Sequence, residues 1–132
     1  SIPKYCAFVN ADCLNQYYTN ATYAAFLSRA DFLMPDGIGV ALAAKWRGTP
    51  VKANLNGSDL LPKLCQMPYS MYFLGAAPGV AETARMNLEH DYPGVKIVGA
   101  DHGFFADEAA EHEAIERINC VRPDILLVGM GV

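Results

Sequence analysis

No apolar run in this sequence is long enough to cross a bilayer. The longest, Ile38–Ala44 and Ile125–Val132, fall well short of the ~20 residues a spanning helix needs. No basic start followed by an apolar stretch opens the chain, so no signal peptide is expected and the cytoplasm is the default compartment. Basic residues are scattered: ten Lys and Arg stand against fourteen Asp and Glu, for a net charge of −4. A protein that grips a nucleic-acid backbone needs a basic cluster to displace counterions, so nucleic acid is excluded as a partner. The four cysteines (Cys6, Cys13, Cys65 and Cys120) form no C-x-x-C pair and have no histidine at ligand spacing. Buried free thiols are expected, not a metal site or a disulfide framework. There is no G-x-S-x-G, no H-E-x-x-H and no D-x-D, the carboxylate pair that commonly holds a divalent metal on a sugar nucleotide.

What is present is a folding composition. Of 132 residues, 52% are apolar and 18% charged, enough for one domain with one core. Short apolar runs alternate with helical stretches. Strands are expected at Tyr5–Val9, Asp31–Met34, Met71–Leu74, Lys96–Val98 and Ile125–Val128. Helices are expected at Asp12–Tyr18, at Ala21–Arg29 capped by Asn20, at Gly37–Trp46, from a Ser58 or Asp59 cap to Leu64, at Val80–His90, and at Glu108–Val121 capped by Asp107. In the last, Ile115 and Ile118 are expected to face inward. From Ser70 to Val128 this is a β-α-β-α-β run. Strands separated by helices of ~10–15 residues mean an α/β, Rossmann-like three-layer fold with a mainly parallel sheet. Right-handed crossovers bring the carboxyl ends of the strands to one edge, where such folds bind ligands.

Three segments fall at strand ends or helix starts. In Met34-Pro-Asp-Gly-Ile-Gly39, Asp36 follows a strand, and it could either cap the next helix or act as a general base. Asn56-Gly-Ser-Asp59 opens a helix whose free N–H groups and dipole suit a phosphate; an ordinary cap reads equally well. Asp59 could receive sugar or ribose hydroxyls. Gly75-Ala-Ala-Pro-Gly79 is a strand-to-helix turn of nucleotide-binding type, but it is not G-x-G-x-x-G, and no Lys-Ser/Thr follows to make it a P-loop. His90 and His112 read as solvated helix residues, and His102 follows a strand on the ligand edge.

Together these segments resemble a known family. Asn10-Ala-Asp-Cys-Leu-Asn15, Ala30-Asp-Phe-Leu-Met-Pro-Asp-Gly-Ile-Gly-Val40, Asn56-Gly-Ser-Asp-Leu-Leu-Pro62, Phe73-Leu-Gly-Ala-Ala-Pro-Gly-Val-Ala-Glu82, His102-Gly-Phe-Phe105 and Arg122-Pro-Asp-Ile-Leu-Leu-Val-Gly-Met-Gly-Val132 look like the blocks of the WecG/TagA/CpsF glycosyltransferases (glycosyltransferase family 26), in the family's order. The resemblance covers nearly the whole chain.

It implies an inverting transferase of bacterial envelope or exopolysaccharide synthesis. Such an enzyme passes an N-acetylmannosamine-type or related sugar from UDP to a polyprenyl-diphosphate-linked acceptor. It implies Asp36 as the base. Around that base the strand ends, helix starts and matching blocks mark Asn10, Gly37, Asn56, Gly57, Ser58, Asp59, Gly75, Pro78, Gly79, His102 and Gly129 as expected substrate-binding residues. The resemblance also implies peripheral contact of the full-length protein with the inner face of the cytoplasmic membrane. No cofactor is expected, and without a D-x-D pair a bound diphosphate is expected to be neutralised by helix termini and side chains rather than by a metal. An apolar patch left by the absent C-terminal segment leaves self-association open. On this reading residues 1–132 are one partial transferase domain, without the family's C-terminal membrane-associating segment. Two positions depart from the pattern. Phe8 stands where many members carry Thr, and Asn54 where many carry Arg. These departures favour an alternative, a non-catalytic nucleotide-sugar-binding module. A Rossmann-type dehydrogenase fits poorly, because the third glycine and the paired acidic residue are missing.

Overall fold

The computed structural model describes residues 2–51 and 56–131; Asn54 lies outside them. The chain divides into two compact units, Ser1–Leu61 and Pro62–Gly131.

In the first unit, strand β1 (Cys6–Val9) leads through helices α1 (Ala11–Thr19) and α2 (Ala21–Ser28) to strand β2 (Phe32–Pro35), then to helix α3 (Ile38–Trp46). The two strands pair in parallel, from Cys6 opposite Phe32 to Val9 opposite Pro35. Local chemistry sets the helix ends. Asn10 caps α1 through a side-chain bond from the Cys13 N–H at 2.9 Å. Asn20 serves two helices: its N–H closes α1 on the Gln16 carbonyl, and its side chain accepts from the Tyr23 N–H to open α2. That single shared residue makes the corner between them. Ala7, Val9, Cys13 and Leu27 form the core, with Tyr5, Leu14, Tyr23 and Ala30 packed around it. Asp31, just before β2, accepts from the Tyr5 N–H at 2.9 Å and from Lys4 Nζ at 2.8 Å, fixing where the two strands start.

Helix α4 (Gly57–Leu64) spans the boundary between the units. In the second unit, strand β3 (Ser70–Gly75), helix α5 (Val80–Asp91), strand β4 (Lys96–Asp101), helix α6 (Glu108–Val121) and strand β5 (Ile125–Gly129) follow in turn. The sheet order is β4-β3-β5, all parallel. The chain steps from β3 out to β4, then back across β3 to β5. Right-handed crossovers in opposite directions place α5 and α6 on opposite faces, which gives three layers. Met71, fully buried, anchors the core with Tyr72, Phe73, Ala81, Ile97, Ala114 and Ile118. Burying a side chain such as Met71 stabilises the fold by about 1.5–3 kcal/mol.

Two features of this sheet come from glycine and aspartate. The ladder slips by one residue between Met71 and Tyr72, so Tyr72 stands opposite Gly99. The Tyr72 ring occupies the space where a Cβ on Gly99 would be, and its hydroxyl donates to Asp101 at 2.6 Å. At the other end, Arg122 takes a left-handed conformation (φ 47°) that closes α6 on the Ile118 carbonyl. Pro123 cannot continue the helix, and Asp124 accepts from both the Ser70 N–H (2.8 Å) and hydroxyl (2.7 Å).

Four expectations need correction. The cap of α4 is Asn56, not Ser58 or Asp59: its Oδ1 accepts from the Asp59 N–H at 2.7 Å. Strand β4 runs three residues further than expected, to Asp101. On α6 the inward pair is Ala114 and Ile118, four residues apart, and Ile115 is exposed. All four cysteines are free, but only Cys13 and Cys65 are buried, while Cys6 and Cys120 are exposed. Among the described residues no helix is long and apolar enough to cross a membrane.

Candidate functional site

Asp36 stands one residue past β2, at the carboxyl end of the β1–β2 pair. Its N–H donates to the Val9 carbonyl at 2.9 Å, which extends the ladder by one rung and fixes the backbone there. It is not the cap of α3. That position belongs to Gly37, whose φ of 93° turns the chain into the helix with no side-chain cap bond. The capping reading of Asp36 therefore fails. Its half-buried side chain faces an open cleft of about 580 Å³ lined by Phe8, Asp36, Asn56, Gly57, Ser58 and Leu61.

The cleft thus joins a carboxylate from the end of β2 to the first turn of α4. Helix starts leave N–H groups without intrahelical partners and carry partial positive charge. Here Asn56 satisfies the Asp59 N–H, and Asn56 Nδ2 donates to the Asp59 carboxylate at 3.0 Å. Asp59 is consequently held by the cap rather than lining the cleft. Asn10 is likewise occupied as the α1 cap, and neither it nor Gly37 lines the cleft. Phe8 and Leu61 do, and they supply its apolar wall. Phe8 stood out in the sequence as a departure from the family pattern. Leu61 carried no signal, because only tertiary proximity brings it to Asp36.

The second unit has its own constellation, at the carboxyl edge of β4-β3-β5. Gly75 pairs with Gly129. The Ala76 N–H donates to the Gly129 carbonyl, and the Gly103 N–H to the Ala76 carbonyl, both at 2.9 Å. These bonds tie three loops together where the strand order reverses, the place at which open α/β sheets bind ligands. His102 follows β4 directly. Its Nδ1 accepts from the Phe104 N–H at 3.3 Å, and its ring lies 5.9 Å from that of Phe105. Gly79 adopts a left-handed conformation as the cap of α5, with Pro78 exposed beside it.

Beneath this edge, Asp101 accepts from Tyr72 and from Arg117 Nε and Nη2 at 3.2 and 3.1 Å. Burial pushes the Asp101 carboxyl up, but the hydrogen bonds from Arg117 and Tyr72 outweigh it and hold the group below the usual carboxylate range. Burial, reinforced by the bond to Asp101, raises the Tyr72 hydroxyl. Sequence reasoning missed this triad, which joins residues up to 45 positions apart on three elements. Among the described residues no three His, Cys, Asp or Glu side chains converge as metal ligands would.

The glycosyl transferase WecG/TagA/CpsF family model matches residues 1–132. The chain belongs to this family. Among relatives of the WecG/TagA/CpsF chain, an N-acetylglucosaminyldiphosphoundecaprenol N-acetyl-beta-D-mannosaminyltransferase from Bacillus spizizenii is 35% identical over 116 residues, covering 85% of this chain and 44% of the relative. A protein of the same name from Staphylococcus aureus (strain NCTC 8325 / PS 47) is 25% identical over 126 residues, covering 92% and 48%. This WecG/TagA/CpsF chain spans about half the length of the curated relatives it matches.

Proposed function

We propose that this chain carries the base and part of the donor site of an inverting glycosyltransferase. The enzyme moves an N-acetylmannosamine-type sugar from UDP to a polyprenyl-diphosphate-linked acceptor in bacterial envelope or exopolysaccharide synthesis. The names of the relatives support the sugar and the lipid-linked acceptor. The observation that carries the mechanism is the cleft shared by Asp36 and the start of α4.

Inversion requires a single displacement. The acceptor hydroxyl oxygen bonds to the anomeric carbon, the bond from that carbon to the UDP oxygen breaks, and the hydroxyl proton passes to Asp36. The departing diphosphate gains negative charge as the bond breaks. Backbone N–H groups at Gly57 and Ser58, with the α4 dipole, can stabilise that charge. The glycine-built edge of the second unit is the candidate seat of the remaining donor contacts, through Gly75, Pro78, Gly79, His102 and Gly129. The full-length protein acts peripherally at the inner face of the cytoplasmic membrane, where its acceptor is held.

Phe8 in the cleft favours one alternative, a module that binds the nucleotide sugar without transferring it. The test is transfer of radiolabelled sugar from UDP-N-acetylmannosamine to a lipid-linked acceptor by the full-length protein. Labelled lipid product supports the enzyme, and UDP binding without product supports the module.

A further inference from the structure

Helix α3 presents an apolar ridge to the outside. None of its residues is buried. Its inner side is the half-buried row Val40, Ala41 and Ala44. On the outer side Ile38, Leu42 and Trp46 recur every four residues, which aligns them along one ridge. They are 77%, 44% and 84% exposed. The charges at the carboxyl end of the ridge have one sign, and Asp36 lies two residues before its start. Lys45 lies in the last turn and Arg47 caps the helix, and no acidic residue occurs from Gly37 to Val51, in a chain whose net charge is −4.

A helix facing water carries polar residues outward, and a core helix buries its large side chains. This one does neither. Aliphatic side chains along the ridge, an indole at its end and two cations beside the indole are the combination that suits a bilayer interface. The aliphatic groups enter the acyl boundary, the indole sits at headgroup level, and the cations meet anionic phosphates. At nine residues, α3 is far too short to span and suited only to lie flat.

We propose that the outer face of α3 docks on an anionic bilayer surface. The inference deepens the transferase reading and rests on it for its purpose: α3 starts two residues after Asp36, so docking this helix brings the base to the lipid surface where a polyprenyl-linked acceptor is held.

Trp46 is the only tryptophan in the chain, so its fluorescence reads this helix alone. The full chain is titrated with acceptor-free vesicles of phosphatidylcholine, with and without phosphatidylglycerol, and with brominated acyl chains as quenchers. Phosphatidylglycerol vesicles shift Trp46 emission to the blue, and brominated chains quench it. Apparent affinity is at least about tenfold higher than for phosphatidylcholine alone, as expected for two cations near an anionic surface. Leu42→Glu, which keeps the reporter, weakens binding by about tenfold or more. Lys45→Gln with Arg47→Gln removes the preference for anionic lipid.

Emission unmoved by anionic vesicles, in protein whose circular dichroism shows it folded, overturns the proposal. So does a blue shift that grows with protein concentration and ignores lipid, because a second copy then covers the ridge. The vesicles contain no acceptor, so failure of the transferase reading leaves this result untouched. Failure of docking leaves transfer to a short-chain, water-soluble acceptor untouched.

Discussion

Gly75 and Gly129 stand opposite each other at the carboxyl ends of β3 and β5, with room for nothing beyond hydrogen on Gly75. A Cβ there would run into the Gly129 carbonyl, and φ of Gly75 is 140°, where side chains are strained. Gly75→Ala therefore destabilises the fold by about 2–5 kcal/mol through backbone strain and overpacking. Gly94→Ala, in open space with no such conformation, changes stability by less than ~0.5 kcal/mol. Urea denaturation of the two variants checks this.

The Tyr72–Asp101–Arg117 network makes a second prediction. Tyr72→Phe keeps the ring over Gly99 but removes the donor at 2.6 Å from Asp101. Arg117 still holds the carboxylate, so the loss is one hydrogen bond, about 0.5–1.5 kcal/mol. The midpoint of urea unfolding measures it.

Acid sensitivity follows from three aspartates. Asp31 is lowered by its bonds from Lys4 and the Tyr5 N–H, and Asp124 by the Ser70 N–H and hydroxyl. Asp101 is lowered by Arg117 and Tyr72 despite its burial. Each folded pKa lies below the unfolded value of about 3.9. The unfolded chain therefore binds more protons in acid, and stability rises with pH there. The contribution is fully present above about pH 5 and is lost as pH falls through the lowered folded values. Unfolding midpoints measured from pH 7 down to pH 2 decline below about pH 4. Asp124→Asn flattens part of that decline.

Transfer is expected to proceed without a bound divalent metal, with backbone N–H groups neutralising the diphosphate. Activity of the full-length protein is unchanged by EDTA. Loss of activity restored by manganese contradicts this.

Much of the fold was legible because local chemistry and global topology agree. Short apolar strands alternate with helices, and Asn20 and Asp107 cap where they were expected to. What escaped was either degenerate or non-local. Asn56, Ser58 and Asp59 are all good caps, and only the backbone geometry selects Asn56. Gly99 and Ala100 have weak strand propensity, so β4 read short. The bonds between Ser70 and Asp124 span 54 positions, and nothing local reports them. In the candidate site, the position of Asp36 just past a strand was legible, and its role as base stands as the proposal. The occupation of Asn10 and Asp59 by capping, and the apolar wall of Phe8 and Leu61, required the tertiary structure.

The proposed role of Asp36 is tested most directly by Asp36→Asn in the full-length protein, with kcat for sugar transfer and UDP affinity measured side by side. An amide of nearly the same shape cannot accept the hydroxyl proton. With Asp36 as the base, kcat falls by about 10²–10⁴ while UDP binding stays nearly the same. Wild-type kcat in that variant would contradict it.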